Sequence, residues 1–281
     1  MSLSEHTVAH PDGGSVHYWQ DGDPTERPII LLHGDYGNAY TQWSDMMPLL
    51  AESYFVVAPD LPGYGQSSPL SPLRLEKLVN WLRGFLKLMD FNAAVLVGSS
   101  HGALLARMLA VDDPAVVPVL ILINGGIEPS VAPAAKLLAA VPGIGGFLFD
   151  RISGSLTQRT RLEGMFVNQN ALTPPLMTAV QANRKALAAL MRGMMLSPEP
   201  KLATPAVPVL ILWGEDDPLV PVRVAEHLNQ VMPGSELIRI ENCGHLPQIE
   251  QPEVVASQIG LYLKRITRGG RARGAGLLAE R

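Results

Sequence analysis

Ala93-Ala94-Val95-Leu96-Val97-Gly98-Ser99-Ser100-His101-Gly102, continued by Ala103-Leu104-Leu105-Ala106-Arg107-Met108-Leu109-Ala110, is the stretch on which the reading of this chain turns. The apolar run before Gly98 reads as a short buried strand, and the run from Ala103 to Ala110 reads as a helix. Between them lies a G-x-S-x-G sequence with Ser100 at the bend. The turn is so tight that a side chain two residues either side of Ser100 would collide with the adjoining strand or helix, and glycine tolerates the strained backbone. Such a turn exposes the Ser100 hydroxyl beside a helix N-terminus, where N–H groups and the helix dipole favour developing negative charge. Alone, G-x-S-x-G also occurs in ordinary glycine-serine loops. Its weight comes from what precedes and follows it.

Downstream, Val209-Leu210-Ile211-Leu212-Trp213 reads as a strand and leads into Gly214-Glu215-Asp216-Asp217-Pro218. Another strand, Glu236 to Ile240, leads into Glu241-Asn242-Cys243-Gly244-His245. Upstream, Ile29 to Leu32 precedes His33-Gly34, and Phe55 to Ala58 precedes Asp60-Leu61-Pro62-Gly63-Tyr64-Gly65-Gln66-Ser67. Each group follows a strand, where open α/β sheets place their sites. With these motifs in this order, the chain resembles the α/β-hydrolase superfamily from about Ser15 to about Ile266.

The resemblance implies that the pentapeptide is a nucleophile elbow with Ser100 as nucleophile, His245 as general base and Asp217 as the acid that orients the histidine. Asp216 is the lesser candidate acid; it and Glu215 read as solvated loop charges. The oxyanion donors would be the backbone N–H groups of Asp35 and His101. A serine hydroxyl is a poor nucleophile until a base takes its proton. An imidazole titrates near neutral pH and can return that proton to the leaving group. The acid fixes the tautomer and stabilises the imidazolium.

Short buried strands alternating with helical stretches imply an α/β fold with a mostly parallel central sheet flanked by helices. Val16 to Trp19 reads as an antiparallel edge, Leu73 to Met89 as a helix, and Glu253 to Lys264 as a closing helix with Val254, Val255, Ile259 and Leu263 on its apolar face. The strands at Val119–Ile123 and Val209–Trp213 are too far apart for one crossover helix. Residues 127–204 therefore read as a helical cap inserted over the site, between core segments 1–126 and 205–268. Residues 269–281, glycine-rich and basic, read as a disordered tail.

At 281 residues and 47% hydrophobic, the chain suffices for one α/β domain with an insertion. A net charge of −4 gives no reason to expect nucleic acid as a partner. The single cysteine, Cys243, excludes an internal disulfide and reads as a small buried residue. Met1 to His6 has no apolar signal segment and no apolar run is long enough for a membrane span, which suits the cytoplasm. His6 and His10 read as exposed residues rather than metal ligands. No metal and no organic cofactor is implied, and a homodimer is left open.

A serine at the elbow argues against the dehalogenase and epoxide hydrolase branches of the superfamily, which use aspartate there. The expected activity is hydrolysis of a small or medium, largely apolar carboxylic ester. The alternatives are a carbon–carbon bond hydrolase of the meta-cleavage type, a lactonase or perhydrolase, and a small-molecule receptor of the same fold. The segment Met165 to Pro174 and Cys243-Gly244-His245 look like the meta-cleavage group, whose substrate-carboxylate arginine Arg184 could match. Asp35-Tyr36-Gly37-Asn38 and Leu246 depart from it. His33, Gly34, Met165 and Met191 are the candidate substrate contacts, although His33 also reads as a scaffold for the loop carrying Asp35. The side chains of His101 and Asp35 should make the acyl end of the pocket polar.

Overall fold

The computed structural model describes residues 3–127, 133–141, 143–198 and 202–272. β1 (Ser4–Ala9) and β2 (Ser15–Asp21) form an antiparallel hairpin at one edge of the sheet. The remaining strands are β3 (Pro28–Leu32), β4 (Phe55–Pro59), β5 (Val95–Ser99), β6 (Val119–Ile123), β7 (Val209–Gly214) and β8 (Glu236–Ile240). Among the described residues they form one sheet in the order β1-β2-β4-β3-β5-β6-β7-β8. β2 meets β4 antiparallel, and every pair from β4 to β8 is parallel. β4, β5, β6 and β7 are buried along their whole length, as strands covered on both faces must be.

Alternation along each strand divides the core between the two faces. Ile30, Leu32, Val57 and Leu96 pack under α3 (Leu75–Leu88) and α4 (His101–Asp112). Ile29, Leu31, Val56 and Val95 pack under α1 (Ala39–Trp43), α2 (Met47–Ala51) and the closing helix, numbered α12 below. α3 buries Leu75, Leu78, Val79, Leu82, Phe85 and Leu86 on one stripe, with Glu76 in its first turn and Lys87 in its last, charges that suit the helix dipole.

Between β6 and β7 lie α5 (Pro133–Ala140), α6 (Ile144–Leu156), α7 (Arg159–Glu163), a 3-10 turn, α8 (Pro174–Ala182) and α9 (Arg184–Leu196). Pro174 opens α8, and the Thr173 side chain caps it by accepting from Leu176 N–H at 3.3 Å. The insert has its own small core of Ala139, Phe149 and Ala188. A second cluster, including Leu162, Met165, Phe166 and Leu176, joins the insert to Tyr36 and Leu246 of the sheet loops. After β7 come α10 (Arg223–Val231), β8, α11 (Pro247–Glu250) and α12 (Pro252–Ala272).

The antiparallel edge expected around Val16 to Trp19 is the β1–β2 hairpin; β1 itself alternates between half-buried and exposed residues, which left no apolar stripe to read. Three expectations are corrected. His10 is buried, with Nε2 3.0 Å from the Trp81 carbonyl and its ring stacked on Trp81. Val254 is exposed, while Val255, Ile259, Tyr262 and Leu263 supply the buried side of α12. That helix continues to Ala272, past residue 269 where the tail was expected to begin; residues 273–281 lie outside the described residues. Among the described residues no helix is long and apolar enough to cross a membrane, and no cluster of potential metal ligands occurs.

β4 lies on one side of β3 and β5 on the other. The sheet therefore changes its direction of growth at β3, and a crevice opens at the C-terminal ends of β3 and β5. His33-Gly34-Asp35 and Ser100 leave the sheet at those two ends.

Candidate active site

Ser100 links β5 to α4 with φ 51° and ψ −115°, a left-handed conformation unusual for a residue with a side chain. Two glycines permit it. A Cβ on Gly98 would stand 2.4 Å from the Gly102 carbonyl oxygen, and one on Gly102 would stand 2.3 Å from that of Leu32. The bend thus packs directly on the end of β3, and Ser100 N–H is tied to the Ile123 carbonyl at 2.9 Å.

The structure brings Ser100, His245 and Asp217 into one hydrogen-bonded chain. Ser100 Oγ lies 3.2 Å from His245 Nε2, and His245 Nδ1 lies 2.8 Å from Asp217 Oδ2. His245 and Asp217 are buried, whereas Glu215 and Asp216 face solvent. Asp217 also accepts from Leu219 and Val220 N–H at 2.8 and 3.0 Å and from Asn124 Nδ2 at 2.6 Å. Burial pushes its carboxyl upward, but the bonds from His245, Val220 and Asn124 outweigh burial and hold it below the usual carboxylate range. An ionised acid fixes the proton of His245 on Nδ1, leaving Nε2 to accept from the serine.

The loop after β3 is held with one group left over. Gln42 Oε1 accepts from Gly34 N–H at 2.9 Å, and Gln42 Nε2 donates to the Tyr36 carbonyl at 2.5 Å. Gln248 Nε2 braces the same Gln42 at 3.1 Å and reaches Ser99 Oγ at 3.0 Å. Between these anchors, Asp35 N–H has no protein acceptor among the described residues, and neither does His101 N–H at the start of α4. Sequence reasoning missed Gln42, Gln248 and Asn124.

His33 is fully buried, with Nδ1 donating to the Gly34 carbonyl at 2.8 Å and Nε2 accepting from Leu61 N–H at 2.9 Å. With both nitrogens taken it is a scaffold group and not the substrate contact expected of it, and the Gly34 N–H is likewise spent on Gln42. Met165 is buried in the insert's contact with the sheet loops, and its carbonyl accepts from His245 N–H at 2.9 Å. Met191 bridges the two apolar clusters of the insert. Arg184 pairs with Asp150 at 3.0 Å on the insert surface. Cys243 is fully buried, and burial pushes its thiol far up, with Glu250 adding to the effect.

Two side chains clamp the insert to the sheet loops. Asn183, between α8 and α9, donates to the Gly37 carbonyl at 2.9 Å and accepts from Gly65 N–H at 3.0 Å. Glu250 accepts from Gly244, Val167 and Asn168 N–H at 2.8, 2.8 and 3.0 Å. The His245 loop is thereby fastened to the insert by one carboxylate.

Residues 29–258 match the model of the alpha/beta hydrolase family. The chain belongs to this family. It is 30% identical over 246 residues to an uncharacterized protein of Mycobacterium tuberculosis, covering 80% of this chain and 71% of that one. It is 27% identical over 275 residues to a 2-hydroxy-6-oxononadienedioate/2-hydroxy-6-oxononatrienedioate hydrolase of Dechloromonas aromatica, covering 85% and 86%. Its fold is similar to that of a thermophilic esterase from Thermogutta terrifontis, with a TM-score of 0.77 at 23% identity over 95% and 99% of the two chains.

Proposed function

We propose that this hydrolase cleaves small or medium, largely apolar carboxylic esters through an acyl-enzyme. Ser100 attacks the ester carbonyl while His245 Nε2 takes its proton. Asp217 stabilises the imidazolium. The Asp35 and His101 N–H groups receive the oxyanion, each contributing roughly 3–4 kcal/mol in the transition state. His245 then protonates the leaving alcohol, and water enters by the same route in reverse. The insert covers the crevice as a cap.

The observation that carries this reading is the unbroken chain from Ser100 Oγ through His245 to Asp217 at 3.2 and 2.8 Å. The preference for an uncharged ester rests on charge. Asp35 lies beside the site, and Arg184, the arginine considered for a substrate carboxylate, is engaged by Asp150. The likeness to the Dechloromonas enzyme supports a second reading, hydrolysis of a carbon–carbon bond beside a ketone. Turnover of p-nitrophenyl acetate and butyrate, with a vinylogous 1,5-diketone alongside, separates the two. Ser100→Ala should lose ester turnover by about 10⁴-fold or more; equal rates in both proteins would overturn the nucleophile assignment.

A further inference from the structure

We propose that Asp35, Tyr64 and His101 form a polar subsite that binds a hydroxyl group on the acyl part of the substrate. The inference deepens the ester hydrolase reading and rests on it for which half of the substrate lies there.

Three enclosed polar atoms without a protein partner gather at the C-terminal ends of adjacent strands: Asp35 Oδ1 after β3, Tyr64 Oη after β4 and His101 Nε2 after β5. Tyr64 is 1% exposed and His101 5%. They share one region. The ring of Tyr64 meets that of His33 edge-on at 5.1 Å. Burial drives the Tyr64 phenol far up, and the Asp35 charge drives it further. Burial lowers His101 to about 3, with His33 adding to the effect. The nearby polar groups that hold the scaffold, on His33 and Gln42, are already paired. An enclosed polar atom left unpaired weakens folding, so this cluster is better suited to a ligand than to stability.

The three groups select the ligand. Burial raises Asp35 to about 6, so near neutral pH it is mainly a carboxylate and only accepts. Tyr64 keeps its proton and donates. His101 is neutral and offers one donor and one acceptor. A hydroxyl can donate to Asp35 and accept from Tyr64 at once. An apolar acyl chain leaves all three unpaired, and a carboxylate is repelled by Asp35. An ammonium would satisfy Asp35 but give the Tyr64 hydrogen no acceptor. Asp35 and His101 also supply the two N–H groups assigned to the oxyanion, so their side chains adjoin the carbonyl carbon, and the proposal assigns them to its acyl side.

Binding to Ser100→Ala, which is measured without turnover, tests the subsite separately from the chemistry. The probes are the methyl esters of butyric, 2-hydroxybutyric, 3-hydroxybutyric and 3-aminobutyric acids, titrated calorimetrically. At least one hydroxy ester should bind about tenfold or more tightly than the butyrate, as one hydrogen bond to a charged group implies. Adding Asp35→Asn, which removes the charge, should shrink that ratio by about threefold or more, and Tyr64→Phe, which keeps the ring on His33, should lower it as well. Equal affinity for hydroxy and plain esters overturns the subsite, as does a ratio that neither variant moves. Tighter binding of the amino ester overturns the choice of a hydroxyl. Turnover independent of Ser100 would instead overturn the hydrolase mechanism and leave these binding ratios standing.

Discussion

Exchanging Asn124 for aspartate changes one atom next to the candidate triad. Asn124 sits at φ 43°, a left-handed conformation that Asn and Asp both tolerate. Its Oδ1 accepts from Gly214 N–H at 3.0 Å, a bond that Asn124→Asp retains. What changes is Nδ2, the donor to Asp217 Oδ2 and to the Gly244 carbonyl, which becomes an oxygen. The bonds of 2.6 and 2.8 Å through Asp217 Oδ2 place that atom no more than about 5.4 Å from His245 Nδ1, where a full charge at an effective dielectric of 20 is worth about 3 kcal/mol. A new negative charge favours the imidazolium, so the free base is reached only at higher pH. The acid limb of kcat/KM for p-nitrophenyl butyrate should move up by about two pH units or more. If the new carboxyl holds a proton instead, it mimics the asparagine near neutrality and activity falls as that proton leaves at higher pH. Either course changes the profile. A pH–rate curve from pH 5 to 9 that superimposes on the wild type, in a protein shown by circular dichroism to be folded, refutes the coupling of Asn124 to His245 through Asp217.

Glu250→Gln leaves one oxygen where two accept three N–H groups; kcat/KM should fall roughly tenfold with a lowered Tm, since each lost bond to a carboxylate is worth about 1.5–3 kcal/mol. Wild-type values of both would show that the Gly244–His245 loop does not depend on this clamp. Cys243, fully buried with its thiol pushed far up, should resist iodoacetamide until the protein unfolds, as judged by mass of the labelled protein with and without denaturant. Rapid labelling of the native protein would contradict that burial.

The sheet was legible where strands are apolar pentapeptides bounded by glycine or a charged loop, because burial on both faces leaves no other composition open to them. β1 was not, since Ser4–Ala9 contributes a hairpin edge and no deep core. The meeting of Ser100, Asp217 and His245 was legible because side-chain identity and strand order mark all three. The supports were not. Asn124 meets Asp217 across 93 residues and Gln248 meets Gln42 across 206, and nothing local marks an asparagine or glutamine as a brace. The only local sign was that Asn124 follows β6 immediately, at the same end of the sheet as Ser100. His33 misled for the opposite reason: it lies beside the candidate site, but its ring is consumed by Gly34 and Leu61.

How the polar atoms are paired separates the machinery from the selectivity. Asp217 accepts four hydrogen bonds, from His245, Asn124, Leu219 and Val220. His33 spends both nitrogens, and Asp60, deep in the loop after β4, accepts from Ala39 and Gln66 N–H and meets His17 at 2.9 Å. Groups so saturated are set by the protein and have nothing left for a substrate. The atoms of Asp35, Tyr64 and His101 are the converse, each enclosed and each costing about 1–3 kcal/mol while unpaired. Exchanging them for apolar side chains would remove that cost without touching the hydrogen-bonded chain from Ser100 to Asp217. On the proposed ester hydrolysis, their presence bears on which acyl group enters, while the elbow glycines and the saturated carboxylates bear on how its bond is broken.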